Sequence, residues 1–480
     1  MPNLKQKSVD AIIWNLIAKY GNQFFGVIIG IILARLLTPA DYGLIGMITV
    51  FFALAMVFMK SGFGAAFIQK KDANQTDAST IFFFNLIISL IMYLILWITA
   101  PLIAAFYGQD QLVAIIRIAS IILVINSIGM IQSTKLTKEV DFKKKTIIQL
   151  VSTLIAGTIG IVAALNHFGV WSLVMQQISK SFFYVLGLWI FYHWKPSFVF
   201  SITSLKEMFS FSSWMLLTSL LMTIFNNIYT LVIGKYFPLA QLGFYTKAKG
   251  YQKMVTIDPS MAIKLVSFPV FSKLQDDKLA LKRSMKKFMQ YTLLFIALFA
   301  AILMVISKPL FLILLTNKWL PMVPYFQLLL IIGILFPIQS LNLQLLNAQG
   351  KSKLNFYLSL IKNVLRVLNI IIMFRYGVLF IIYGEIAVSI IALFINGFYT
   401  KKFINYGMLE QLKDVFIIII ISVMAFLIGY SFISFLQNDY FKIIVGISIT
   451  GGSYILFQYY LNRLLFMENV NLLKSKFIRK

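Results

Sequence analysis

Long apolar runs alternate along the chain with short polar segments. Each run is close to or above the roughly 20 residues that cross a hydrocarbon core of about 30 Å as an α-helix. The runs cover 11–37, 43–67, 79–106, 112–134, 146–166, 169–192, 208–236, 288–315, 321–346, 355–376, 378–400 and 415–436, and a thirteenth, nearly as clear, covers 441–461. The pattern predicts an all-α integral membrane protein. The first run lacks a small-residue cleavage site, so we expect a spanning helix and not a signal peptide.

The segment 245–271, YTKAKGYQKMVTIDPSMAIKLVSFPVF, lies between two of these runs but contains four lysines, an aspartate and two prolines. If it were a loop, every later segment would change sides, and the basic segments 401–413 and 463–480 would face outward. If it spans the membrane, most basic residues gather in cytoplasmic segments, as the positive-inside rule requires. We therefore predict that 245–271 is the eighth of fourteen spanning helices and that both termini are cytoplasmic.

A short motif occurs twice in the chain. ARLLTPADYGL begins at Ala34 and GKYFPLAQLGF at Gly234, an offset of 200 positions. Repeats of this kind are typical of transporters built of two similar lobes. We predict an N-terminal lobe of helices 1–6 over 1–200, a C-terminal lobe of helices 7–12 over 201–405, and helices 13 and 14 with a cytoplasmic tail over 406–480.

Composition agrees with a membrane protein and narrows its chemistry. Of the 480 residues, 60% are hydrophobic and 12% charged, and the net charge is +27. Because the basic residues lie in short segments between apolar runs, membrane topology explains this charge better than nucleic-acid binding does. The absence of cysteine excludes disulfides and thiolate metal sites, and two histidines argue against a histidine metal cluster. We predict no metal site and no cofactor.

Several charges fall inside the predicted helices, where a charge costs several kcal/mol unless it faces a wet cavity or a partner. Helix 1 carries Lys19 in one polar stripe with Asn15, Asn22 and Gln23. The stripe predicts a cavity wall. The alternative is that Lys19 extends towards the cytoplasmic headgroups.

The predicted eighth helix brings Lys249, Lys253 and Lys264 within about 60° of one another on a wheel of 100° per residue. Three cations on one face need an anion or water. The alternative places Lys249 and Lys264 in the two membrane interfaces. Pro259 should kink this helix, and the carbonyl groups it frees are tolerated only beside a cavity.

Helix 11 presents Lys362 and Arg366 on one face, where they are equally suited to a phosphate and to anionic inner-leaflet lipid. The deep bases outnumber two deep acids, which favours an anionic substrate. The candidate diphosphate-binding residues are Lys19, Lys60, Lys180, Lys249, Lys253, Lys264, Lys362 and Arg366. The candidate sugar-binding or polar cavity residues are Asn15, Asn22, Gln23, Asn226, Asn227, Gln339 and Asn342, although small polar residues as often join membrane helices. Asp258 and Glu385 either couple transport to H⁺ or Na⁺ or neutralise a neighbouring base.

Four segments, 30–71, 232–252, 268–277 and 318–354, resemble the polysaccharide-exporter family of Wzx-type oligosaccharide flippases. They include GIILARLLTPADYGL, VIGKYFPLAQLGF, FPVFSKLQDD and KWLPMVPYFQLLLIIGILFP. The resemblance implies two six-helix lobes around a central cavity plus two peripheral helices. In flippases of lipid-linked precursors from the same superfamily, basic residues on helices 1, 2 and 8 contact the diphosphate, and Lys19, Lys60 and Lys253 lie on those helices here. Lys60 also stands where many relatives have an acid, so a role of that acid does not transfer.

The resemblance further implies a function without catalysis. The chain would move undecaprenyl-diphosphate-linked oligosaccharides to the outer leaflet of a bacterial cytoplasmic membrane by alternating access, for surface polysaccharide such as O-antigen, capsule or exopolysaccharide. Its partners would be this substrate, membrane lipids and other polysaccharide-assembly proteins, but no nucleic acid. The alternatives are a drug or lipid II exporter of the same superfamily and, less favoured because every predicted loop is short, a membrane glycosyltransferase or polymerase.

Overall fold

The computed structural model describes residues 2–60, 63–468 and 471, and for residues 2–9, 12, 60, 65 and 207–215 it describes the backbone alone. All regular elements in these ranges are helices. The first nine are α1 (Pro2–Leu36), α2 (Pro39–Lys60), α3 (Phe63–Gln69), α4 (Gln75–Tyr107), α5 (Gln111–Ala119), α6 (Ile121–Lys138), α7 (Phe142–Leu165), α8 (Val170–Phe191) and α9 (Ile202–Tyr236). This confirms the predicted fold class.

Eight more α-helices complete the described chain. They are α10 (Leu239–Gln252), α11 (Asp258–Lys273), α12 (Lys278–Leu315), α13 (Met322–Ala348), α14 (Ser352–Met373), α15 (Val378–Ile404), α16 (Met408–Ser434) and α17 (Asp439–Leu461). A π-helical segment, Lys253–Ile257, joins α10 to α11 without a break. Short 3₁₀ turns, Asn317–Trp319 and Phe374–Tyr376, precede α13 and α15.

The described helices form fourteen long segments, because α5 with α6 and α10 with α11 each make one span, while α3 is short. Thirteen of them are long and apolar enough to cross a membrane. The remaining one, α8, has 22 residues but is diluted by Gln176, Gln177 and Lys180. The segment 245–271 lies inside the candidate span Leu239–Lys273, which confirms its prediction as a helix of the membrane-spanning set.

The second predicted helix, 43–67, needs a correction. In the structure α2 ends at Lys60, and a separate short helix, α3, begins at Phe63. Ser61 and Gly62, between them, lie outside the described residues. An apolar run therefore contains two helical elements where hydropathy alone suggests one.

The chain divides into two compact units, Met1–Gly243 and Phe244–Lys480. In the first unit, α1 packs on α7, and Gly157 permits a close approach because a Cβ there would overlap the side chain of Ile29. In the second unit, α12 packs against α16 and α17, and the Tyr454 hydroxyl donates a hydrogen bond to the Leu294 carbonyl over 2.8 Å. The division into segments 1–200, 201–405 and 406–480 stays a prediction.

Candidate functional site

The second unit contains a buried ion pair between α14 and α15. Arg366 donates from Nη2 and Nε to Glu385 Oε1, over 2.9 and 3.0 Å, and its Nη1 donates to Asn363 Oδ1 over 3.3 Å. The Glu385 side chain is 9% exposed and that of Arg366 is 20% exposed. Removal of a carboxylate from water is tolerable only with such a partner. The structure thus gives Glu385 the geometry of the neutralising alternative, while its role in ion coupling stays a prediction.

One turn before Arg366, Lys362 donates to Gln339 Oε1 on α13. The Gln339 amide nitrogen in turn donates to the Ser389 carbonyl on α15 over 3.1 Å. The acceptor of Lys362 is a neutral amide, so this contact does not neutralise the lysine, which also interacts electrostatically with Arg366 and Glu385. Lys362 and Gln339, predicted separately as phosphate and sugar ligands, lie in one hydrogen-bonded chain across three helices.

Residues near the start of the eighth span interact with this ion pair. Lys249 interacts electrostatically with Arg366, Glu385 and Lys253, and the buried Tyr245 interacts with Arg366 and Glu385. The Lys249 ammonium also lies 5.6 Å from the centroid of the Tyr245 ring. We call Lys249, Lys253, Lys362, Arg366 and Glu385 the cationic cluster. It holds four cations and one carboxylate within the candidate spans.

Lys253 is exposed and opens the π-helical segment Lys253–Ile257, in which the Asp258 N–H bonds to the Lys253 carbonyl five residues back. Pro259 lies in the first turn of α11, where its missing N–H is tolerated. Single π-turns in helices often mark functional sites. The π-helical segment also changes the predicted positions of the lysines around the helix. It holds one more residue per turn than an α-helix, so the residues after it are rotated by roughly 100° relative to those before it. Half-buried Lys264 is therefore displaced from the face that Lys249 and Lys253 share.

Asn342 makes buried contacts between helices, and its role as a sugar ligand stays a prediction. Its side chain is fully buried on α13, donates to Gln411 Oε1 over 2.8 Å, and accepts from the Thr400 hydroxyl over 2.5 Å. It therefore joins α13 to α15 and α16, the role that the alternative assigned to small polar residues.

In the first unit, Lys180 of α8 lines a small polar cavity of about 170 Å³ with Asn126, Gln149, Ser152 and Tyr184. These residues come from α6, α7 and α8. The cavity is large enough for a few water molecules, which supports an exposed lysine inside a predicted span. Lys180 thus lines a cavity that could hold water, and its role as a phosphate ligand stays a prediction.

The other candidates of the first unit lie on α1 and α9. Asn22 is tied to α7, because its Oδ1 accepts from the Thr153 hydroxyl over 2.7 Å, and the Asn227 amide donates to the Thr223 carbonyl one turn back. Lys19 and Gln23 are half-buried. Asn15 and Asn226 are exposed. The structure describes only the backbone of Lys60, so the predicted role of its side chain as a ligand falls outside the described residues.

Tyr245 and Asn363 belong to the site but were not predicted from the sequence. Tyr245 lies in the same polar segment as the predicted lysines, at i−4 from Lys249, so helical spacing could have added it. Asn363 is buried beside Arg366 and carries no signal of its own in the sequence.

The fold is that of a multi-span transporter. The structure resembles that of "Lipid II flippase MurJ, inward closed conformation" with a TM-score of 0.76 at 16% identity, covering 95% of this chain and 99% of that one. It also resembles "Inward-facing conformation of a multidrug resistance MATE family transporter of the MOP superfamily", with a TM-score of 0.65 at 15% identity, covering 82% of this chain and 98% of that one. At these identities the likeness concerns the fold.

The family is defined by sequence. Residues 32–324 match the family described as "Polysaccharide biosynthesis protein", so the chain belongs to that family. It is 25% identical over 363 residues to "Teichuronic acid biosynthesis protein TuaB" of Bacillus subtilis (strain 168), covering 74% of each chain. It is also 25% identical over 378 residues to "Lipopolysaccharide biosynthesis protein WzxC" of Escherichia coli (strain K12), covering 77% of this chain and 76% of that protein.

Proposed function

We propose that the protein is a flippase for lipid-diphosphate-linked oligosaccharides, which it moves from the cytoplasmic to the outer leaflet of a bacterial cytoplasmic membrane by alternating access. The observation that carries the proposal is the cationic cluster, set inside candidate membrane spans of a polysaccharide biosynthesis protein with a transporter fold. Both termini are cytoplasmic in this proposal. The substrate is carried without covalent change.

The cluster suits a diphosphate that must be released again. Glu385 is ion-paired with Arg366, and in this proposal Lys249, Lys253 and Lys362 supply the charge that receives the phosphates. A lysine ammonium binds phosphate as a point charge and imposes less geometry than the bidentate guanidinium group. Substrate entry would move the Lys362 ammonium from the Gln339 amide to a phosphate oxygen. Gln339 would then be free to bond to a sugar hydroxyl.

Asp258 and Glu385 are the proposed sites for coupling to H⁺ or Na⁺. Binding of the coupling ion at Glu385 would weaken its hold on Arg366 and would release a further phosphate ligand. Coupling by this route links substrate binding to the charge of a single carboxylate.

A direct test uses purified protein in liposomes loaded with a polyprenyl-diphosphate oligosaccharide whose sugar is fluorescent. We expect transfer of the sugar across the membrane. We also expect Lys249→Gln, Lys253→Gln and Lys362→Gln each to weaken binding about 10- to 100-fold, since a charge-assisted hydrogen bond contributes about 1.5–3 kcal/mol. Lys351→Gln, at an exposed position just before α14, is the matched control. Transfer that is equal with and without protein would refute the proposal.

Lipid II is the second candidate cargo, favoured by the structural likeness to a lipid II flippase. The same liposomes loaded with lipid II decide between the two. Faster transfer of lipid II than of the oligosaccharide carrier would replace the proposed cargo and keep the transport function.

A further inference from the structure

The second unit contains a cavity of about 710 Å³ that does not include the cationic cluster. Five helices, α12, α13, α15, α16 and α17, contribute to its wall. Its volume lies in the range of small-molecule sites, about 300–1,000 Å³.

One end of this cavity is polar. Ser434 ends α16 and Asp439 and Lys442 lie in the first turn of α17, and Lys308, about two turns before the end of α12, lines the same cavity. Lys442 and Asp439 form an ion pair of 3.3 Å, whereas Lys308 is exposed. Two ammonium groups against one carboxylate make this end attractive to an anion.

The rest of the cavity is apolar and runs along α16 from Ser434 back to Phe426, a length of about 12 Å at 1.5 Å per residue. Its floor includes Val305 and Ile433, which belong to a buried apolar cluster. Ile331 and Tyr383 stand at its open side and are 38% and 53% exposed. On candidate membrane spans, an exposed apolar side of this kind faces lipid chains.

Two hydrogen bonds join α12 to α13 at the wall of this cavity. The Gln327 amide of α13 donates to the Met304 carbonyl and to the Ser307 hydroxyl of α12, both over 3.0 Å. Pro309, near the C-terminal end of α12, also lines the cavity. Gln327 thus holds α13 at a set distance from α12 just below the polar end.

We propose that this cavity binds a resident anionic phospholipid, with the phosphate at Lys308 and Lys442 and one acyl chain along the apolar wall. A charged end with an apolar trough open to lipid matches the two parts of a phospholipid. A free anion would use only the polar end, and a protein helix would need a longer apolar surface. The lipid belongs to the membrane and is distinct from the cargo at the cationic cluster.

The test is native mass spectrometry of the full chain in detergent with added phosphatidylglycerol or, in parallel, phosphatidylcholine of the same acyl chains. We expect preferential retention of phosphatidylglycerol and a loss of about tenfold in its binding in Lys308→Gln. Lys351→Gln is the matched control, because Lys351 is exposed beyond the opposite end of α13. Ile331→Trp, which fills the open side at an exposed position, should weaken retention of both lipids.

Three results would overturn the proposal. The first is equal retention of the two lipids by the wild-type protein, and the second is unchanged phosphatidylglycerol binding in Lys308→Gln. The third is displacement of phosphatidylglycerol by an equimolar polyprenyl phosphate or by inorganic phosphate, which would identify the occupant as the carrier lipid or as a free anion. Since the readout is phospholipid binding, failure here leaves the flippase assignment intact.

Discussion

Gly43 and Gly243 form a reciprocal contact in the first unit. A Cβ atom built on Gly43 would lie 2.2 Å from the Leu239 carbonyl oxygen, and one built on Gly243 would lie 1.9 Å from the Pro39 carbonyl oxygen. The two glycines are 200 positions apart, and so are the two residues they touch. Contacts in which i meets j and j meets i are typical of a twofold arrangement. The repeated motif found in the sequence therefore contacts its own copy.

We expect Gly43→Ala and Gly243→Ala each to lower the free energy of unfolding by about 1–3 kcal/mol, the usual cost of overpacking. The obstacle in each case is a backbone carbonyl, which cannot turn away as a side chain can. The double variant should cost less than the sum, because one backbone displacement relieves both overlaps. Thermal unfolding in detergent measures all three. Gly452→Ala is the control, since nothing lies within 4 Å of its Cβ position. A decrease in the stability of Gly452→Ala as large as that of Gly43→Ala would contradict the explanation by overlap.

The Arg366–Glu385 pair allows a charge-removal cycle. We expect Arg366→Gln and Glu385→Gln each to destabilise the protein by about 3–5 kcal/mol, because each leaves a buried charge without its partner. The double variant, which removes both charges, should lose less than either single variant. Chemical or thermal unfolding of the four proteins gives the coupling energy.

A surface pair supplies the comparison for this cycle. Lys287 and Glu468 also form an ion pair, but their side chains are 54% and 41% exposed. Exposed pairs contribute about 0–1 kcal/mol, so Lys287→Gln should be nearly silent. A stability of Glu385→Gln equal to that of the wild-type protein would mean that Glu385 is uncharged in the resting state and would favour the ion-coupling role.

The spans were predictable from sequence because each depends on a local property. Apolar runs identify helices such as α12 and α16. The number of basic residues on each side of the membrane, judged by the positive-inside rule, identifies the span that includes Lys249 and Lys253. The π-helical segment was not predictable, because Pro259 indicates irregularity and does not specify the type of helical turn. The pairing of Arg366 with Glu385 depends on how α14 packs against α15, and a single sequence carries no direct record of that contact.

The same limit applies to Asn342, whose predicted role as a ligand the sequence cannot separate from a role in joining helices. Its sequence context, a polar residue in an apolar helix, is identical for a cavity ligand and for a helix-joining residue. We expect Asn342→Leu to lower the free energy of unfolding by about 1–3 kcal/mol, because Gln411 loses a buried partner, with no change in substrate affinity. The measurements are thermal unfolding and lipid-diphosphate binding. A loss of affinity without a loss of stability in Asn342→Leu would favour the ligand role.

Gly384, next to Glu385, sets the spacing between α14 and α15. A Cβ there would lie 1.6 Å from Asn369 Oδ1 and 2.5 Å from its Cγ, and the Asn369 amide donates to the Ile381 carbonyl over 3.0 Å. We expect Gly384→Ala to expel the Asn369 side chain, to separate the two helices and to lengthen the Arg366–Glu385 contact, with a loss of about 1–3 kcal/mol in stability. Asn369→Ala alone should cost about 1 kcal/mol for its hydrogen bond.

The double variant Gly384→Ala/Asn369→Ala tests the mechanism of this loss. Because the overlap involves only the end of the Asn369 side chain, its truncation makes room for the new methyl group. The double variant should therefore be more stable than Gly384→Ala and should recover oligosaccharide transfer in liposomes. If the double variant is instead less stable than Gly384→Ala by the full cost of Asn369→Ala, the two sites act independently and the spacing of α14 and α15 is set elsewhere.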